Sequence, residues 1–147
     1  MEPGARALVV ACSDGRLQEN LDDFLQTSLN IHHYDRLYAP GGGGALVSSG
    51  VELLRPNQFR RECQFLLAAH GIQNLYLIFH GPSEDGPDEA ACGDYRRKLP
   101  RASMAELRRR QESDANELKQ VSWGSGVQVF TYRCEVRKDD RIQFIEI

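Results

Sequence analysis

The chain has 147 residues, of which 41% are hydrophobic and 27% charged, with a formal net charge of -3. That length suits a single domain spanning residues 1–147, with a core that needs no disulfide staples. No basic face dominates the sequence, which argues against a nucleic-acid partner, and no internal repeat or domain boundary interrupts it.

Residues 6–11, Arg-Ala-Leu-Val-Val-Ala, read as a short buried strand. The apolar run from Ala7 to Ala11 is too short for a signal-peptide core or a membrane span, and Cys12 and Asp14 close it. A cytoplasmic protein without membrane association is the expectation. The four cysteines, Cys12, Cys63, Cys92 and Cys134, then read as reduced thiols or metal ligands rather than disulfides. Helical periodicity follows the first strand, with Leu17, Leu21, Phe24, Leu25 and Leu29 on one face and Glu19, Asp22 and Asp23 outside. Tyr34 to Ala39 resembles a second strand, stopped by Pro40 and the glycines Gly41 to Gly44. Ser48 and Ser49 read as cap or turn residues.

A helix over about 57–70 carries Phe59, Cys63, Leu66 and Leu67 inward, and Gly71 stands where a C-cap glycine would. Asn74 to Phe79 is the clearest buried strand, and it delivers His80 at its C-terminal end. Residues 81–94 form a loop rich in glycine, proline and acids. Ser103-Met104-Ala105-Glu106 matches a capping box, so a polar helix runs over about 104–120. Val127 to Cys134 is a fourth strand, and Lys138-Asp139-Asp140-Arg141 turns the chain into a last one, Ile142 to Ile147. The alternation predicts an α/β fold with a mainly parallel central sheet flanked by helices. Its last connection is too tight for a crossover, so the sheet has four parallel strands plus one antiparallel edge strand.

Ligands of such sheets gather beyond the C-terminal strand ends, where Cys12 and His80 both fall. With Cys92 they supply two thiolates and one imidazole, a donor set that suits zinc and leaves a fourth position. Asp14 and Arg16 bring a carboxylate and a fixed cation to the same place. Glu84, Asp85 and Asp88 could each serve in place of Cys92. Cys63, within the second helix, and Cys134, near the end of the fourth strand, read as small buried apolar residues.

A Cys-x-Asp-x-Arg motif ending the first strand, a glycine-rich stretch, then a strand ending in His with a Cys-Gly after it resembles the β-class carbonic anhydrases. Tyr34-Asp35-Arg36-Leu37-Tyr38-Ala39-Pro40-Gly41-Gly42 looks like that family's second strand and turn, and Val127 to Ile147 like its closing hairpin. The resemblance covers nearly the whole chain. It implies zinc held by Cys12, His80 and Cys92, with Asp14 and Arg16 as the catalytic dyad beside the metal. The implied reaction is reversible hydration of carbon dioxide to bicarbonate by zinc-bound hydroxide, and the implied assembly a homodimer. Two departures stand out: residues Gly81 to Ala91 separate His80 from Cys92 where the family has His-x-x-Cys-Gly, and most of the family's N-terminal helical arm is missing. Closing the longer spacer costs little more than closing a short one.

Zinc with two thiolates and a neutral imidazole carries no net charge, so bound water needs help to approach a pKa of ~7. Asp14 can accept the water's hydrogen bond, and Arg16 can hold Asp14 off the metal in a bidentate pair. Two alternatives remain open: a non-catalytic zinc-binding or sensing domain, and a hydrolase of a related small molecule such as carbonyl sulfide or carbon disulfide. The glycine run lacks a P-loop's lysine and spacing, which weakens a nucleotide reading. His32 and His33 read as solvated loop histidines more readily than as proton shuttles, and His70 as a cation at a helix C-terminus. The basic segment 96–110 reads as solvated faces partly neutralised by the acidic loop, and Trp123 as core or an interface anchor.

Overall fold

Alternation within the first strand builds two layers at once. In β1 (Arg6–Ala11) the side chains of Leu8 and Val10 enter one apolar cluster, while Ala7, Val9 and Ala11 enter another on the opposite face. A strand buried on both sides is what a parallel sheet between helices requires. The computed structural model describes residues 6–48 and 54–147, so the expectation for Ser49 lies outside the described residues.

The sheet has five strands in the order β2-β1-β3-β4-β5, where β2 is His33–Tyr38, β3 Asn74–Pro82, β4 Gln128–Val136 and β5 Ile142–Glu146. The first four run parallel and β5 pairs antiparallel with β4, as the tight last turn predicts. The larger core gathers Leu8, Val10, Leu75, Leu77 and Phe79 with residues of α2 (Leu54–Ala69) and α4 (Met104–Lys119). Ser103 caps α4 by accepting from the Glu106 amide at 3.2 Å. The second core lies under α1 (Gln18–Asp23), where Leu21 and Leu25 pack on Val9 and Ile78.

Three local expectations need correction. The leucine face over 17–29 belongs not to one regular helix but to a 3₁₀ turn at Gly15–Leu17, then α1, then a π turn at Phe24–Ser28. The wider turn lets Phe24 stack on Phe144 of β5 at 4.1 Å between ring centroids, and Asn30 ends it with φ 55°. Strand β3 does not stop at Phe79. It continues through His80, Gly81 and Pro82 because β4 pairs with it as far as Val136. The 81–94 stretch is not simply a loop: it holds a 3₁₀ turn at Asp88–Ala90 and the start of α3 (Gly93–Lys98).

The acidic loop neutralises the basic segment only in part, as expected. Arg108 pairs with Glu135 and Arg110 with Asp114, while Asp94 alone of the loop's acids takes Arg97 and Lys98. Trp123 is core, 5% exposed, with its indole N–H donating to the Leu118 carbonyl. No helix of the described residues is long and apolar enough to cross a membrane.

Candidate metal centre

Cys12 is the first residue past β1, and the turn that follows is tied to the end of β2. The Ala39 amide donates to the Ala11 carbonyl at 3.0 Å, and the Ser13 amide to the Ala39 carbonyl at 3.2 Å. Gly42 makes this junction fit. Its φ is +56°, and a Cβ there would lie 2.3 Å from the Ile78 carbonyl oxygen and 2.8 Å from the Cys12 nitrogen. Only glycine lets the backbone run so close to the end of β1 and the middle of β3.

Asp14 caps the 3₁₀ turn, its Oδ1 accepting from the Arg16 amide at 3.0 Å. The Arg16 guanidinium returns to the same carboxylate: Nε lies 3.0 and 3.1 Å from the two oxygens and Nη2 2.6 Å from Oδ2. This fork holds the Asp14 pKa down to about 2, with a smaller contribution from the charge of His80. The remaining Arg16 nitrogen, Nη1, donates to the Glu89 carbonyl at 3.3 Å. Arg16 therefore touches both the turn after Cys12 and the spacer before Cys92.

His80 projects from within β3 and is 3% exposed. Its backbone carbonyl accepts from Gln111 of α4 at 2.8 Å, while its Nε2 is buried with no hydrogen-bond partner. Cys92 stands at the N-cap of α3 and is 2% exposed. Two residues beyond it, the buried Asp94 carboxylate receives Arg55 at 3.0 Å, Arg97 at 2.6 Å and Lys98 at 3.1 Å. Tyr95 donates to Asp114 at 2.6 Å. These contacts fix the spacer's far end. Asp94, Tyr95 and Gln111 were not among the candidate residues read from the sequence. The one local signal is an acid in the first turn of a helix that is itself hard to see.

The ligand atoms of Cys12, His80 and Cys92 lie within 4.8 Å of one another. That is the scale on which donors with bonds of about 2.0–2.3 Å surround one ion. Two sulfurs and an imidazole nitrogen otherwise lacking a partner fit a zinc-type ion well: the metal would satisfy the one orphaned buried nitrogen of the cluster. The Cys12 thiol is drawn down to about 4, first by the hydrogen bond from the Cys92 side chain and then by His80, against the opposing effect of burial. Cys92 moves up, since it keeps its own proton to donate to the Cys12 thiolate, and burial adds to the effect. By contrast, burial pushes Cys63 and Cys134 up to about 12, the behaviour of inert core thiols.

Glu84, Asp85 and Asp88 are exposed and outside the three-residue group. His32 and His33 lie at the start of β2, the opposite end of the parallel strands from Cys12 and His80. His70 pairs with Asp35.

No family model matches the sequence, and no curated protein matches it. Solved structures do share its fold. The β-carbonic anhydrase CafD of Aspergillus fumigatus aligns at 14% identity over 99% of this chain and 91% of that one, with a TM-score of 0.52. A carbon disulfide hydrolase in its apo form aligns at 12% identity over 95% and 77%, with a TM-score of 0.52. Carbonic anhydrase from Streptococcus mutans aligns at 13% identity over 96% and 81%, with a TM-score of 0.51. At these identities the likeness is one of fold: this chain has the β-carbonic anhydrase architecture.

Proposed function

We propose that this chain is a zinc-dependent hydratase that adds water to carbon dioxide and reverses the addition from bicarbonate. The observation that carries the reading is the convergence of Cys12, His80 and Cys92, with the Asp14–Arg16 ion pair on the same turn as Cys12. In this reading Cys12, His80 and Cys92 hold the metal. Zinc bound there supplies Lewis acidity, lowering the pKa of water and polarising the electrophile.

The chain's own residues supply direction. With its pKa near 2, Asp14 is an acceptor at any working pH, so it can take a hydrogen bond from water and turn the oxygen lone pair towards substrate. Arg16 occupies both Asp14 oxygens through its fork, which keeps the carboxylate from closing on the metal. Arg16 is thus a positioning residue and Asp14 the catalytic one. The same reading takes residues 1–147 as one domain acting as a cytoplasmic homodimer, which sedimentation of the purified protein tests.

Zinc analysis and stopped-flow hydration of carbon dioxide on the wild type, Cys92→Ser and Arg16→Ala test the proposal. The wild type should carry zinc and turn over, and Cys92→Ser should lose both. Arg16→Ala should keep zinc and lose hydration by about 10- to 100-fold. A wild type that binds no zinc when offered it overturns the reading, and so does an Arg16→Ala protein of full activity. A zinc-loaded protein without turnover points instead to a metal-binding or sensing domain. The fold likeness to a carbon disulfide hydrolase favours one second reading, hydrolysis of carbon disulfide or carbonyl sulfide, assayed by sulfide release.

A further inference from the structure

The stretch between His80 and Cys92 gives the two ligands little to hold them at a fixed distance. Past the end of β3 its residues Glu84, Asp85, Asp88 and Glu89 are exposed. Two of its backbone groups reach the rest of the fold: the Ser83 amide donates to the Val136 carbonyl at 2.8 Å, and the Glu89 carbonyl accepts from Arg16 at 3.3 Å. Neither bond touches His80 or Cys92. A spacer of this length lets its ends meet but does not by itself set where they stand.

Helix α4 does. Arg108, Gln111 and Asp114 follow at three-residue steps and so share one of its faces. Gln111 is 3% exposed, and its side-chain amide donates to the His80 carbonyl at 2.8 Å. His80 lies beyond Leu77, the last β3 residue paired with β1, so its backbone has a strand on one side only, and Gln111 supplies the second hold. Arg108 donates to the Pro82 carbonyl at 2.9 Å and pins the end of the same strand. Asp114 accepts from the Tyr95 hydroxyl at 2.6 Å and is itself held by Arg110 at 3.0 Å. Tyr95 in turn is fixed to the other ligand, since its amide and that of Asp94 hydrogen-bond the Cys92 sulfur. Gln111 and Asp114 stand about 4.5 Å apart along the helix axis, on the scale of the 4.8 Å that encloses the three ligand atoms. Leu107, Ala115 and Leu118 seat α4 in the larger core, which makes the face a rigid reference.

We infer that α4, rather than the spacer, sets the distance between His80 and Cys92, with Gln111 and Tyr95 as the positioning residues that transmit it. The inference rests on the metal-binding half of the proposed function and not on turnover. Gln111→Met and Tyr95→Phe each delete one hydrogen bond and keep the shape of the side chain. In the full chain each should weaken zinc affinity, measured by chelator competition, by about 10-fold or more. Each should also shift the ligand-field bands of the cobalt-substituted protein, which report ligand geometry rather than stability.

Two further variants separate positioning from other causes. Gly86→Ala puts a Cβ 2.2 Å from the Val136 carbonyl oxygen and so displaces the spacer at its anchor. Ile72→Val loosens the core ahead of β3. Both should hold zinc within about twofold of the wild type, with unchanged cobalt bands. Unchanged affinity or unchanged bands in Gln111→Met or Tyr95→Phe overturns the inference, and so does a Gly86→Ala or Ile72→Val protein that loses zinc as readily as they do. Failure of the two readings is separable. A wild type that takes up neither zinc nor cobalt overturns the metal site and this inference with it. One that takes up zinc without hydrating carbon dioxide overturns the hydratase alone, and the four variants still decide the role of α4.

Discussion

Gly42 is the residue that lets three backbone segments meet beside Cys12. Its positive φ and the contacts a Cβ would make with the Ile78 carbonyl and the Cys12 amide are two separate obstacles to any side chain. Gly42→Ala should therefore destabilise the protein by about 1–3 kcal/mol and also weaken zinc retention. Denaturant midpoints with and without zinc check both, and an unchanged midpoint would contradict the packing described. Neither obstacle could be read from the sequence, where Gly42 is one of a run of four. Cys12, Asp14 and Arg16 were legible because their chemistry is local: a cap, a fork and a thiol within five residues.

At the scale of elements, strands were legible where apolar residues fill them and obscure where pairing alone defines them. Residues 74–79 announce β3 by composition. His80, Gly81 and Pro82 carry no such signal and are strand because Cys134, Glu135 and Val136 face them. Helix α3 was missed for a related reason. It is six residues long and buries only Asp94 and Tyr95, so no apolar period betrays it. Three cations gather on its buried Asp94, and its Tyr95 is buried and donates to Asp114. Asp94→Asn should remove that charge, cost about 3 kcal/mol, and loosen Cys92 next to it. Thermal unfolding should show the loss, and zinc titration a lower affinity. A variant as stable and as zinc-avid as the wild type would mean that α3 is held by packing alone.

For the whole molecule, the two cores on opposite faces of the sheet each contain a buried thiol outside the candidate metal group, Cys63 in one and Cys134 in the other. Burial raises both from 9.0 to about 12, so the folded protein holds these protons more tightly than the unfolded chain does. That contribution is complete below about pH 9 and is lost as pH rises towards 12. Denaturant midpoints should fall across this alkaline window, and less steeply in a Cys63→Ala, Cys134→Ala protein. A fall of equal slope in both would assign it to other groups. The layer order itself was legible in the sequence, since alternating strands and helices leave few arrangements. The spacer's course was not, because its anchors are distant: the Arg16 bond to the Glu89 carbonyl and the Ser83 amide on the Val136 carbonyl.

The strand order β2-β1-β3 also bears on how the protein is made. Strand β1 leaves the ribosome first, yet one of its two neighbours in the sheet is β3, which is synthesised only after α2. Cys12 therefore waits as an exposed thiol on a nascent chain until β3 pairs beside it and Cys92 follows. Parallel pairing of this kind closes long loops and is slow. The ordering makes the earliest ligand the one longest open to oxidation or to a stray metal while the chain is being made.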